Sequence, residues 1–304
     1  MTRRISRFSF FPGMLVLLLV PATGCLEAPP RSEVDTARDS LGGQTATGAP
    51  ARYLTHFVFA GVDGSAFFGR FEQTTSERQL ARVYDAWWSG PEGWRQLTAV
   101  RDTLPVPRAA WRILPSDGMN VRVGDSREVV GLSFTTSGGR VELRTGDEVA
   151  LLTGPTGQRE SVGVAGLEVD GESVGGLLFF RRAARALQFP DAAGSSRGFL
   201  LADSVGNGLL IETTENDSSA VAHTWLHGSV DAWSDVVLVT DTLAGTAPGR
   251  RWRFDIPDAA LSGTIRAVAS PSEGPVPAFR VVCELIADGD VFRFTGLAAS
   301  LPLP

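Results

Sequence analysis

The chain has 304 residues, of which 43% are hydrophobic, and its 34 acidic residues outnumber its 28 basic ones to give a net charge of −6. This balance argues against nucleic acid as a partner, because surfaces that bind nucleic acid carry clustered basic residues. Every basic residue is an arginine, which excludes lysine Schiff bases and lysine general bases.

The N-terminus has the features of an export signal. Arginines precede the apolar residues 14–20, and Ala22, Thr23 and Gly24 then lead to Cys25. The apolar run is too short for a permanent membrane span, which needs about 20 residues. Residues 1–24 are therefore predicted to be a cleaved signal peptide.

The tetrad that ends in Cys25 resembles the lipobox of bacterial lipoproteins, in which the cysteine sulfur carries a diacylglycerol. The resemblance implies lipidation of Cys25 and a location in the cell envelope, anchored to the outer or the inner membrane. The alternative is an ordinary secretory signal followed by a chance cysteine, which the mass of the mature protein distinguishes. Two or more acyl chains hold a protein firmly to a bilayer, whereas one chain binds only marginally.

The composition divides the rest of the chain into three parts. Residues 25–50 are rich in proline, glycine and charge, which predicts a flexible tether after the lipidated cysteine. Beyond them, valine, leucine and aromatic residues alternate with polar ones, which is typical of a folded body. We expect a first β-domain over residues 51–190, a linker around Pro190 and residues 192–196, and a second β-domain over residues 195–304.

The folded body contains an internal repeat. Three residues near the start of each copy align at an offset of 142, and two tryptophan pairs follow in the same order at offsets of 139 to 141. The aligned pairs are Phe57 with Phe199, Ala60 with Ala202, Gly64 with Gly206, Trp94 with Trp233, and Trp111 with Trp252. A collinear series of this kind favours duplication over chance.

Each copy divides into eight short runs of β-forming residues separated by turn residues, and one run in the first copy covers residues 109–114. This spacing predicts an all-β fold of two duplicated antiparallel β-barrels, since closure removes exposed strand edges. A pair of β-sandwiches is the alternative. Residues 148–194 are interpreted as an insert with added strands and a short helix over residues 181–189.

Two motifs carry a family resemblance. Residues 86–90 read Ala-Trp-Trp-Ser-Gly, and residues 174–176 read Val-Gly-Gly, followed by Phe179, Phe180 and Arg181. Together with the tandem barrels, these motifs resemble the superfamily of the AttH proteins and carotenoid 1,2-hydratases. The resemblance implies two consecutive lipocalin-like barrels over residues 53–298, and a hydratase-like activity on isoprenoid-like substrates by fold analogy alone.

The candidate ligand-binding residues come from the histidines. On a strand, residues of one parity share a face, so His223, Trp225 and His227 are predicted to point together. An offset of 139 relates His223 and His227 to Tyr84 and Trp88, and these five rings would suit the lining of an apolar pocket. The alternative is that they are ordinary core or rim aromatics.

Other chemistry finds little support in the sequence. Two histidines four apart on a strand lie about 13 Å apart, too far to chelate one metal ion, so no metal and no cofactor are predicted. No serine lies in a nucleophile elbow. Cys283 sits in an apolar run and is predicted to be a buried, inert thiol that has no partner for an internal disulfide.

Three functions stay open at this stage. The first is a membrane-tethered protein that binds an apolar small molecule or lipid without catalysis. The second is a structural or adaptor lipoprotein that binds another envelope protein. The third is an enzyme on isoprenoid-like substrates, which would need an acidic or histidine side chain inside a pocket.

Overall fold

The computed structural model describes residues 50–125, 128–153, 159–186, 195–214, 219–226, 229–241, 250–269, 278–287 and 289–302. Cys25, the signal peptide, nearly all of the tether, His227 and residues 187–194 lie outside these ranges. Within the described ranges, no helix is long and apolar enough to cross a membrane.

The first half of the body is a nine-stranded antiparallel sheet with the order β4-β3-β2-β1-β9-β8-β7-β6-β5. Its strands are β1 Ala51–Gly61, β2 Ala66–Thr75, β3 Gln79–Gly90, β4 Gly93–Pro105, β5 Met119–Val123, β6 Val129–Thr136, β7 Gly139–Thr153, β8 Arg159–Val169 and β9 Glu172–Ala186. The chain meanders from β1 to β4 and from β5 to β9, and the pairing of β1 with β9 joins the two meanders. We call this the first sheet.

The second half is a closed eight-stranded antiparallel barrel in which β10 pairs with β17. Its elements are β10 Ser195–Ala202, β11 Gly208–Thr214, β12 Ser219–Leu226, β13 Ser229–Asp241, β14 Arg251–Ile256, a 3₁₀-helix Pro257–Ala259, β15 Leu261–Ala269, β16 Ala278–Ala287 and β17 Asp290–Pro302. We call this the second barrel. The prediction of an all-β fold with two antiparallel barrel-like parts is confirmed.

The three largest apolar clusters of the described residues follow from the alternation of side chains along these strands. One fills the inside of the first sheet around Phe57, Phe59 and Phe134. Another fills the second barrel around Phe199, Trp252 and Phe294. The third lies between the two and combines outward-facing residues of both, so several strands are buried on both faces. We call this third cluster the interface.

The predicted insert is an integral part of the first sheet. Strands β8 and β9 fill the positions between β7 and β1, and the segment predicted as helical continues β9 as a strand through Ala186. The prediction of a helix is wrong because Phe179 faces the interface while Phe180 faces the inside, so both parities are apolar and the period of two is hidden.

The predicted strand over residues 109–114 is wrong as well. Turns occupy residues 108–111, between β4 and β5. Pro107 and Pro115 bracket this segment, and neither can donate a backbone N–H to a strand ladder. Trp111 is therefore in a loop, whereas Trp252, its partner in the repeat alignment, is fully buried in β14.

Cys283 is buried, as predicted. The side chain is 1% exposed in the core of the second barrel, and burial raises the pKa of its thiol to about 12. A thiol that stays protonated and buried is a poor nucleophile.

Candidate functional site

A cavity of about 200 Å³ lies inside the first sheet. Strands β1 and β9 contribute Thr55, Phe180 and Arg182 to its wall, and β5 and β6 contribute three valines. The opposite wall is the loop segment 111–115, which includes Trp111. The cavity is partly open to solvent and lies between the centre of the sheet, one of its edges and the loop that joins β4 to β5.

The register of β1 and β9 explains which side chains reach the cavity. Thr55 is the cross-strand partner of Arg182, so both project from the same face of the sheet. Phe180 lies two residues from Arg182 on that face, and its ring centroid is 4.9 Å from that of Phe57. The aromatic core inside the sheet therefore forms the floor of the cavity.

Trp111 is held against the cavity by two arginines. The Arg182 guanidinium lies 4.5 Å from the centroid of the Trp111 ring, and its Nη2 donates a hydrogen bond to the Trp111 carbonyl at 3.2 Å. Arg112 lies 5.0 Å from the same ring. Each cation–π contact of this kind stabilises by about 0.5–2 kcal/mol, depending on its exposure to solvent. The indole thus has a defined position in the wall.

The same loop is also fixed by a buried polar network of side chains from β2 and β3. The Tyr84 hydroxyl donates to the Gln73 side-chain carbonyl and accepts from the Leu114 backbone N–H at 3.2 Å. The Gln73 amide in turn donates to the Ala110 carbonyl. Burial is the main reason that the pKa of Tyr84 is raised to about 12, so this phenol stays neutral and keeps its proton for the network.

Arg82 completes this support. Its Nη1 donates to the carbonyls of Leu114 and Pro115, at 3.2 and 2.9 Å, and the rest of its guanidinium pairs in a fork with Asp102. A hydrogen bond from Arg82 is the main cause that lowers the pKa of Asp102. The loop that walls the cavity is therefore anchored to β2 and β3 through Gln73, Tyr84 and Arg82.

The lining is mostly apolar, with Arg112, Arg182 and Glu128 as its charged members. Such a site can enclose an apolar body and hold one polar end. Across the described ranges, no group of three histidine, cysteine, aspartate or glutamate side chains could hold a metal ion.

The structure separates the candidate residues that the sequence grouped together. Tyr84 and Trp88 face the inside of the first sheet, where Tyr84 supports the cavity wall without lining it. His223 and Trp225 lie on the outer face of the second barrel, and Trp225 packs in the interface. His227 lies outside the described residues. The structure does not bring these residues together in one pocket, and a role for them in ligand binding stays a prediction.

An odd offset explains the separation. Strand β1 aligns with β10, and β2 with β11, at the even offset of 142, whereas Tyr84 was aligned with His223, and Trp88 with His227, at the odd offset of 139. Because successive residues of a strand face opposite sides, a change from an even to an odd offset aligns an inward-facing residue with an outward-facing one. Sequence reasoning missed Thr55, Trp111, Phe180 and Arg182. A strand assignment for residues 172–186 would have placed Phe180 and Arg182 on one face and supplied the missing signal.

Comparisons with known proteins identify the fold. No family model matches the chain, and no curated protein matches it in sequence. The chain is similar to the crystal structure of kievitone hydratase from Nectria haematococca, with a TM-score of 0.51 and 9% identity over 83% of this chain and 88% of that chain. It is similar also to a putative AttH from Nitrosomonas europaea, with a TM-score of 0.50 and 12% identity over 83% of this chain and 92% of that one. At these identities the likeness concerns the fold.

Replacing Tyr84 with phenylalanine tests the support of the cavity wall. Removing the hydroxyl leaves the Gln73 carbonyl and the Leu114 N–H with poorer partners, so we expect a loss of about 1–3 kcal/mol in the free energy of unfolding. Urea denaturation measures this loss, and hydrogen exchange should show faster exchange at the Leu114 amide. Unchanged exchange at Leu114 would show that the hydroxyl does not hold the loop.

Proposed function

We propose that this chain is a lipid-anchored protein of the cell envelope that holds an apolar small molecule in the cavity of the first sheet, without converting it. The cavity itself carries this proposal, since its wall is apolar and has a few charged groups at defined positions. The fold is compatible with it, because barrel-like sheets can enclose a small ligand.

The size of the cavity limits the ligand. Ligand sites are typically about 300–1,000 Å³, and a buried cavity of about 150 Å³ admits benzene. At about 200 Å³, this cavity accommodates a compact molecule or one end of a longer alkyl or isoprenoid chain. The two arginines in the wall favour a ligand whose polar end is neutral or anionic.

The second barrel has a different role in this proposal. Trp252, Phe199 and Phe294 are fully buried inside it, and the ring of Phe199 packs edge-on against Trp252 at 5.2 Å. A barrel filled with side chains acts as a support. We place the ligand in the first sheet for this reason.

A hydratase-like enzyme is the second candidate. One fold neighbour is named as a hydratase, and the Glu128 side chain lines the cavity, where a carboxyl group could exchange a proton with a bound alkene. Replacing Glu128 with glutamine separates the two functions. If the Glu128→Gln variant still binds the alkene but no longer converts it, the enzyme is favoured over the binding protein.

Filling the cavity tests the ligand site. We expect Val129→Phe, which adds a ring to the cavity wall, to weaken binding of n-octanol and octanoate at least tenfold in isothermal titration calorimetry. The matched control is Val164→Phe, because Val164 is 52% exposed on the outer face of β8. Equal binding by both variants would place the ligand elsewhere, and octanoate binding more tightly than octanol would indicate that the arginines select an anionic end.

The two cysteines provide a matched test of the anchor. We expect Cys25→Ala to abolish incorporation of labelled palmitate and to release the protein from the membrane fraction, because the other cysteine is buried in the second barrel. Cys283→Ala should keep the label. Palmitate labelling that survives Cys25→Ala would contradict the proposed anchor.

A further inference from the structure

A group of buried ionisable side chains joins the first sheet to the second barrel. Arg181, on β9, donates from Nε to Glu160 on β8 at 2.6 Å and from Nη2 to Glu212 on β11. The three side chains are between 0 and 3% exposed. One guanidinium of the first sheet therefore binds a carboxyl group from each half of the body.

Two histidines border this group. His56, on β1, is the cross-strand neighbour of Arg181 and is fully buried, and neither of its ring nitrogens has a hydrogen-bond partner in the structure. His223, on β12, lies on the outer face of the second barrel near Glu160. Arg70, next to His56 on β2, is already paired with Glu72 at 2.6 Å.

The charges in this group do not balance if all its acids ionise. Arg181 faces two carboxyl groups, and burial lowers the pKa of both histidines, so neither histidine readily supplies a second positive charge. Burial also raises the pKa of Glu212 to about 8, and its hydrogen bond with Glu160 acts in the same direction. Burial and the neighbouring carboxyl group thus favour the neutral form of Glu212 near neutral pH.

We propose that the contact between the first sheet and the second barrel is proton-linked: it closes with Glu212 as the neutral acid, and ionisation of Glu212 opens it. The physical reason is the cost of a second negative charge among groups that are removed from water. Separation of the two halves lets water reach both carboxylates and relieves this cost. The proposal concerns the assembly of the body and does not depend on a ligand in the cavity.

The sign of the pH dependence follows from these pKa shifts. Because the pKa of Glu212 is raised from 4.5 to about 8 in the folded chain, the stability that it contributes is complete below pH 4.5 and is lost as the pH rises through 8. The histidines act oppositely, since their lowered pKa values give stability that grows until about pH 6.5. The effect of Glu212 is therefore isolated between pH 6.5 and 8.

Hydrogen exchange of the full chain in detergent, corrected for intrinsic exchange rates, tests the proposal. Between pH 6.5 and 8, the opening equilibrium at the indole N–H of Trp225, which is buried in the interface, should rise by up to tenfold per pH unit, the limit for release of one proton. The indole N–H of Trp252, inside the second barrel, should not follow this change. Glu212→Gln keeps a neutral side chain of the same shape, so it should fold and lose the pH dependence.

Glu142→Gln is the matched control. Glu142 is also buried and pairs with three arginines, but all of them belong to the first sheet. The Glu142→Gln variant should keep the pH dependence of the natural chain. In parallel, NMR of the glutamate carboxyl carbons should show one group titrating near pH 8 that is absent from Glu212→Gln.

Three results would overturn the proposal. The first is exchange at the Trp225 indole that does not change between pH 6.5 and 8. The second is a Glu212→Gln variant that keeps the full pH dependence. The third is an equal change at the Trp252 indole, which would mean that the whole chain unfolds and the contact does not open separately.

Discussion

The pairing of β1 with β9 is the constraint on which both the cavity and the interface depend. This pairing runs from Ala51 with Ala186 to Gly61 with Gly176 and joins the two meanders of the first sheet. Without it, β1–β4 and β5–β9 would be separate meanders, and β1 and β9 would be additional exposed edges, which are aggregation-prone in water. The strands that contact each other at the centre of the sheet therefore come from its two sequence ends.

Two consecutive pairs in this ladder have opposite consequences. Thr55 and Arg182 point into the first sheet and form part of the cavity, whereas His56 and Arg181 point outward to the second barrel. Two adjacent arginines of β9 thus lie in different surroundings, Arg182 at the cavity and Arg181 at the interface. A slip of one residue in the β1–β9 register would exchange these faces and disrupt the cavity and the interface at once.

The two arginines also differ in energetic role. Arg182 lies at a cavity wall, where its contacts with Trp111 hold a flat ring in position. Arg181 is fully buried, and loss of Glu160 would leave its charge uncompensated, which typically costs about 3–5 kcal/mol. A buried pair of this kind is weak evidence for stability by itself, so we assign Arg181 a part in specifying how the two halves meet.

Local pattern predicts much of this fold and less of the site. Alternation and turn residues predict the strands, and the face shared by His223 and Trp225 is correct, since Ala220 and Ala222 point into the barrel core. Which face is the core could not be predicted from these residues. A tryptophan is expected inside a barrel, but Trp225 is buried on the outside because the first sheet covers it. The cavity is lined by a loop and by strands that lie far apart in sequence, so no local pattern of residues predicts it.

The central claim is that the first sheet holds an apolar ligand and the second barrel does not. A crystal of the full chain soaked with 1-bromooctane tests it directly through the anomalous signal of bromine. The account predicts a bromine peak within the cavity bounded by Trp111, Phe180 and Val129. A peak inside the second barrel, or no peak in the first sheet, would contradict it.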